Sequence, residues 1–216
     1  MLDSLLHKGK RANLVKELTC KSVFEKEVIK AMQIVPRHLF VAAGLEHLAY
    51  EDKPLPIAAG QTISQPSTVA MQTSLLGLKR WDKVLEVGTG CGYQTAILAE
   101  MGLRVYSMER QKELYIAAQK NLARTGYDKP LLFLGDGYAG LPQFARFKGI
   151  LVTCGAPRVP EALLMQLEVG GKMVIPLGDQ QQGQELSVIT RKSEFEFDKS
   201  NHGRYNFVPM LDGVCR

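Results

Sequence analysis

The stretch Val84-Leu-Glu-Val-Gly-Thr-Gly-Cys-Gly-Tyr-Gln-Thr95 constrains this chain more than any other. A short apolar, β-branched run passes into Gly88, Gly90 and Gly92 and then into a helix-compatible segment. Glycines at that spacing let the backbone turn tightly and let a ligand approach it closely. The dinucleotide-binding pattern G-x-G-x-x-G would need a glycine at position 93, where this chain has Tyr93. A plain strand-to-helix connection could use the same glycines, so the turn alone does not decide a function.

The flanking sequence extends the pattern. Residues 83–87, 103–108, 131–134, 150–153 and 171–176 read as strands, and 93–101, 112–124 and 160–167 read as the helices between them. Such alternation predicts a doubly wound, mostly parallel α/β sheet, Rossmann-like, with helices on both faces. In the tail, 185–191, 194–197 and 205–209 read as strands with no helix between them, which predicts antiparallel edge strands.

The first third reads as helical. Ser22-Val-Phe-Glu25 fits a capping box, and Phe24, Val28, Ala31, Met32 and Val35 follow at helical spacing until Pro36 removes a backbone donor. A short helical turn is expected over 37–41, an ordered proline-containing loop over 52–66 and a further helix over 67–78. The domain division expected is 1–66, N-terminal helices and a loop packed on the core, and 67–216, the α/β domain with its C-terminal strands.

Composition narrows the class. The net charge of +5 is dispersed along the chain and leaves no nucleic-acid footprint. No apolar run approaches the roughly 18 residues of a membrane span, and the N-terminus does not read as a secretion signal, so a cytoplasmic protein is expected. Cys20, Cys91, Cys154 and Cys215 form no C-x-x-C pair, and His7, His38, His47 and His202 lack zinc-like spacing. Reduced thiols and no metal are the expectation.

Two acids join the glycine turn. Glu109 follows the second core strand, about 20 residues beyond the turn, where a carboxylate can accept from both ribose hydroxyls of a nucleoside. Asp136, inside Gly135-Asp-Gly137, ends the third strand, where it can accept from an adenine amino group. Glu109 could equally be a solvated acid, and Asp136 an ordinary Asp-Gly turn. Yet all three features fall at the carboxyl ends of successive strands, the edge at which open α/β sheets bind ligands. With Glu86 just before it, the G-x-G-x-G spacing resembles that of class I methyltransferases.

Further motifs narrow the resemblance. Val35-Pro-Arg-His-Leu-Phe-Val41, Thr62-Ile-Ser-Gln-Pro66, the glycine turn, Gly135-Asp-Gly137, Gly170-Gly-Lys-Met-Val-Ile-Pro-Leu-Gly178 and Phe207-Val-Pro209 together resemble the protein-L-isoaspartate O-methyltransferase family, in order and over nearly the whole chain. The resemblance implies methyl transfer from S-adenosyl-L-methionine to the free α-carboxylate of L-isoaspartyl and D-aspartyl residues in damaged proteins. It implies a cofactor site formed by Ser67, Thr68, Val69, Glu86, Gly88, Thr89, Gly90, Gly92, Tyr93, Glu109, Asp136 and Gly137, with Ser64 as the active-site serine. The partners implied are isoaspartyl proteins and peptides, without nucleic acid or membrane, and a monomer is expected. Read from sequence alone, Ser64 or Ser67 is a helix N-cap, and the resemblance reverses that reading for Ser64.

Three departures stand out. Lys148 replaces an acid at the start of the fourth strand, Cys154-Gly155 replaces a pair of alanines, and Cys91 replaces a serine in the turn. Lys148 is expected to disturb local pairing and Gly155 to add backbone freedom. A methyltransferase for another acceptor and a catalytically silent cofactor-binding module are the alternative functions.

Overall fold

The structure is a computed structural model that describes residues 3–21, 24–179, 181 and 183–215. Ser22 of the expected capping box lies outside the described residues. The helix it was to cap, α2 (Lys26–Ile34), follows α1 (Leu5–Lys21) and ends where Pro36 requires. The Glu25 N–H, an orphan donor at this helix start, donates instead to Ser74 Oγ at 3.0 Å. Short 3₁₀ turns follow at Arg37–Leu39 and Glu46–Leu48. The loop expected over 52–66 contains a small hairpin, β1 (Leu55–Pro56) paired antiparallel with β2 (Thr62–Ile63), and leads into α3 (Pro66–Leu76).

The α/β core comprises β3 (Lys83–Val87), α4 (Tyr93–Glu100), β4 (Arg104–Glu109), α5 (Lys112–Thr125), β5 (Leu131–Leu134), β6 (Phe147–Val152), α6 (Glu161–Met165), β7 (Leu167–Leu177), β8 (Gln184–Arg191) and β9 (Phe197–Tyr205). The seven-stranded sheet runs β5-β4-β3-β6-β7-β8-β9, parallel as far as β7 and antiparallel beyond it. The chain moves outward from β3 to β5 and then returns beside β3 as β6. That reversal opens a crevice between the carboxyl ends of β3 and β6.

Two expectations for the tail need correction. Residues 194–196 turn the chain, and 206–209 are irregular; one strand, β9, lies between them. β9 is an edge strand of mostly exposed polar residues, so it carries no apolar alternation to read. Lys148 sits where the β6–β7 register shifts, between Phe147 and Gly149, so pairing is irregular at this residue as expected, and its ammonium pairs with Glu168 on β7 at 2.9 Å.

Burial divides along the pleat. On β3, Leu85 and Val87 pack on one face with Ile150, Val152 and Met173, while Val84 packs on the other with Leu98, Val105 and Leu151. The N-terminal helices form a third cluster, in which Val28, Met32 and Phe40 meet Tyr93 and Ile97 of α4. Arg37 is wholly buried there; its Nε donates to Ala49 O at 2.9 Å and its guanidinium lies 4.8 Å from the centre of the Tyr93 ring.

Sequence spacing gave no sign that Asp3, His7 and His38 would meet, yet their ligand atoms lie within 4.8 Å of one another. Both Asp3 oxygens accept from Arg11, at 3.1 and 2.9 Å, and the two imidazoles stack at 3.7 Å. In-plane lone pairs of stacked rings run side by side rather than converging, so the group reads as the docking of α1 on the Arg37–Leu39 turn. The cysteines are all free thiols. Among the described residues no helix is long and apolar enough to cross a membrane.

Candidate active site

The crevice at the β3/β6 reversal opens into a cleft of about 870 Å³, mouth included. Its floor is the glycine turn. Gly88 and Thr89 donate their N–H groups to Met108 O at 2.8 and 3.2 Å, which ties the turn to β4. Thr153, just past β6, donates its hydroxyl to Gly88 O at 2.7 Å and to Val87 O at 3.1 Å. Gly88 has φ +98°, and a Cβ placed on it would lie 2.3 Å from Thr153 Oγ1. Glycine is required there on both counts.

Glu109 stands at the rim, 5% exposed. Its Oε2 accepts from Gly90 N–H at 2.8 Å and its Oε1 from Gln111 N–H at 2.9 Å. A carboxylate has about four lone-pair sites, so each oxygen keeps capacity for one ligand hydroxyl.

Glu86 is placed differently from its expected role at the cofactor. It is fully buried beneath the turn, where its Oε2 accepts from the Thr95 and Ser107 hydroxyls at 2.5 and 2.6 Å. Thr89 Oγ1 lies 2.6 Å from Ser107 Oγ, so a hydroxyl chain links the turn to Glu86 from below. Burial pushes the Glu86 carboxyl up to about 8, so it is protonated at neutral pH.

Of the candidate residues, Ser64, Val69, Gly88, Thr89, Gly90, Tyr93, Glu109 and Gly137 line the cleft, and Ser67, Thr68, Glu86, Gly92 and Asp136 do not. Asp136 Oδ1 accepts from Tyr138 N–H at 2.9 Å and its Oδ2 from Gly213 N–H at 3.0 Å. Ser67 N–H donates to Asp52 Oδ1 at 2.9 Å, so Asp52 caps α3 from across the hairpin loop. Ser64 is therefore not needed as a cap. It lines the cleft half-buried, and its hydroxyl has no hydrogen-bond partner among the described residues.

Sequence reading missed the Gln111 and Val208–Leu211 parts of the wall. Phe207-Val-Pro209 was visible as a motif, but nothing local in it points back to the glycine turn. Gly155 brings it there, donating its N–H to Val208 O at 2.8 Å and accepting from Met210 N–H at 2.7 Å. The backbone freedom expected at Gly155 is absent: a Cβ would lie 2.5 Å from Gln184 Nε2, so glycine here serves close packing.

The remaining ionisable groups of the wall keep their protons. Burial pushes the Cys91 thiol to about 11 and the Tyr93 phenol to about 12. Cys154 keeps an edge in the cleft, but desolvation, with Glu109 adding repulsion, pushes its thiol to about 12. Among the described residues no histidine lines the cleft.

A glycine turn at the reversal point of a doubly wound sheet and a carboxylate at the end of the neighbouring strand are the arrangement of a class I S-adenosylmethionine-dependent methyltransferase. Comparison with known proteins takes the assignment further. The sequence profile of the protein-L-isoaspartate(D-aspartate) O-methyltransferase family matches residues 9–215, and the chain belongs to that family. It is 50% identical over 212 residues to a protein-L-isoaspartate O-methyltransferase of Christiangramia forsetii, covering 98% of this chain and 99% of that one. It is 49% identical to one of Flavobacterium psychrophilum, with the same coverage. Among solved structures, a protein-L-isoaspartate O-methyltransferase superposes with a TM-score of 0.86 at 27% identity, covering 94% of this chain and 67% of that one. A candidate enzyme of the same kind from Plasmodium falciparum, in complex with S-adenosyl-L-homocysteine, superposes with a TM-score of 0.82 at 25% identity, covering 95% and 98%.

Proposed function

We propose that this chain methylates the free α-carboxylate of L-isoaspartyl and D-aspartyl residues in damaged proteins, as a cytoplasmic monomer. Residues 67–216 hold the cofactor and residues 1–66 supply the acceptor side. The observation that carries the reading is a cleft with an unpartnered hydroxyl, Ser64, and, among the described residues, no histidine, thiolate or phenolate to serve as a base. An acceptor amine or hydroxyl would need such a base. An α-type carboxylate, with a pKa of about 3.5, is already ionised and is its own nucleophile.

When bound, S-adenosylmethionine would supply a methyl group carried on a sulfonium whose leaving group is a neutral thioether, for attack by the carboxylate oxygen. Glu109 would hold the ribose hydroxyls, and the Gly88–Gly90 backbone would cradle the amino-acid end. Ser64 Oγ donates to one carboxylate oxygen and turns the other toward the methyl. Holding the reacting atoms in line can supply roughly 7–11 kcal/mol of the barrier. The fully buried Glu86 steadies the turn from below without touching the reacting groups. The ester then recloses to a succinimide, whose hydrolysis returns part of the material to normal aspartyl linkage.

The test is methyl transfer from labelled cofactor to a matched peptide pair, one isoaspartyl and one aspartyl. Label on the isoaspartyl peptide alone supports the reading. Equal labelling, or none by a protein that retains cofactor, overturns it.

A further inference from the structure

The chain leaves β9 and turns back over the carboxyl ends of the strands as an extended strap. Gly155 fixes its beginning through the pair of backbone bonds described above. Its far end is fixed on the opposite side of the cleft, where Cys215 N–H donates to Arg110 O at 2.9 Å and Lys112 N–H donates to Cys215 O at 3.0 Å. Between these anchors the Arg110 side chain holds two strap carbonyls, Nε donating to Gly213 O and Nη2 to Asp212 O, each at 3.2 Å. Gly213 N–H takes up Asp136 Oδ2. The strap thus bridges the ends of β4 and β5, beside Glu109, and its Met210 and Leu211 form cleft wall.

The two halves of the strap are held differently. Phe207 and Met210 are buried in the protein. From Leu211 onward the side chains are exposed, Leu211 by 45% and Val214 by 42%, so little apolar burial holds this half down. Segments held by backbone hydrogen bonds with little burial are the ones that open locally at low cost. Asp136 has one oxygen in its own turn and the other on the strap, so a ligand that reaches for Asp136 competes with Gly213.

We propose that Leu211–Cys215 is a releasable strap over the nucleoside end of the cofactor site, and that its lifting from Arg110, Gln111 and Asp136 is the step by which S-adenosylmethionine enters and S-adenosylhomocysteine leaves. The inference rests on the reading of the cleft as a cofactor site.

The native Cys215 allows a reversible test. Gln111 and Cys215 are bridge partners, and neighbouring extended chains lie within the Cα separation a disulfide spans. In a Cys20→Ser, Gln111→Cys protein, oxidation ties the strap shut and dithiothreitol frees it. Release of radiolabelled S-adenosylhomocysteine into excess unlabelled compound is expected to slow at least tenfold on oxidation and to recover on reduction. The same variant in both states controls for the change at Gln111. Equal release rates overturn the proposal, as does failure of the disulfide to form under oxidant, since the strap then does not lie beside Gln111. A chain ended after Met210 should release the compound at least tenfold faster while keeping its circular dichroism spectrum; unchanged release also overturns the strap. An intact protein that retains no S-adenosylhomocysteine removes the cofactor reading itself, whereas retention with equal rates removes only the strap.

Discussion

Gly88→Ala tests the floor of the cleft most directly. The new Cβ would sit 2.3 Å from Thr153 Oγ1, at a backbone φ of +98°. The φ alone costs an alanine about 1–3 kcal/mol. The overlap can be relieved only by moving the Thr153 hydroxyl off Gly88 O and Val87 O, which forfeits two hydrogen bonds that share one proton and together are worth about 1–2 kcal/mol. The single variant should therefore lose about 2–5 kcal/mol in urea unfolding. Thr153→Ala alone should lose about 1–2 kcal/mol, the worth of the hydroxyl's two bonds. In the double variant those bonds are already gone and the clash with them, so only the φ cost is added. The double variant should then be no less stable than Gly88→Ala, with a coupling of about 1–2 kcal/mol. Affinity for S-adenosylhomocysteine, lost in Gly88→Ala as the turn shifts, should return in part. Strictly additive losses would refute the steric argument and leave the glycine needed for its φ alone.

Ser64→Ala should keep cofactor affinity and the urea midpoint, since Asp52 caps α3, while turnover on isoaspartyl peptide falls by up to roughly a hundredfold, about 2.7 kcal/mol; full turnover with a lowered midpoint would return Ser64 to a capping role. Glu109→Ala should weaken S-adenosylmethionine binding by about 1.5–3 kcal/mol in calorimetric titration, and an unchanged dissociation constant would remove Glu109 from the ribose role. Glu86→Gln concerns pH. The folded carboxyl titrates at about 8 against an ordinary 4.5, so the stability it lends is fully present below 4.5 and is lost as pH rises through 8. Unfolding free energy of the native protein should fall relative to the glutamine variant across that window, by at most about 1.4 kcal/mol per pH unit; parallel curves would show that Glu86 does not titrate there.

What the sequence disclosed follows from how local each signal is. β3 and β5 begin and end where their residues read, because an apolar run bounded by turn residues sets both limits. β7 starts at Leu167, four residues before the expected 171, because Gly170 and Gly171 mask a strand that continues through them. The hairpin of β1 and β2 is too short to carry any period. At the site, residues next to the glycine turn were legible. Glu86 was misplaced because alternation along β3 sends it to the opposite side from the cleft-lining Val87, which residue type alone does not reveal. Val208–Leu211 reach the cleft only through the pairing with Gly155, a contact between segments more than fifty residues apart.

The protonated thiols of the cleft have a consequence for the protein's own survival. A sulfonium methyl donor is an alkylating agent, and the species it would alkylate on a cysteine is the thiolate. At neutral pH a thiol at its ordinary 9.0 is about one part in a hundred thiolate; at about 11, as for Cys91, it is about one in ten thousand, and at about 12, as for Cys154, about one in a hundred thousand. The two thiols that line the cleft are thus held in their weakly nucleophilic protonated form. Neither thiol in the wall around a bound cofactor therefore competes with a damaged carboxylate for the methyl group.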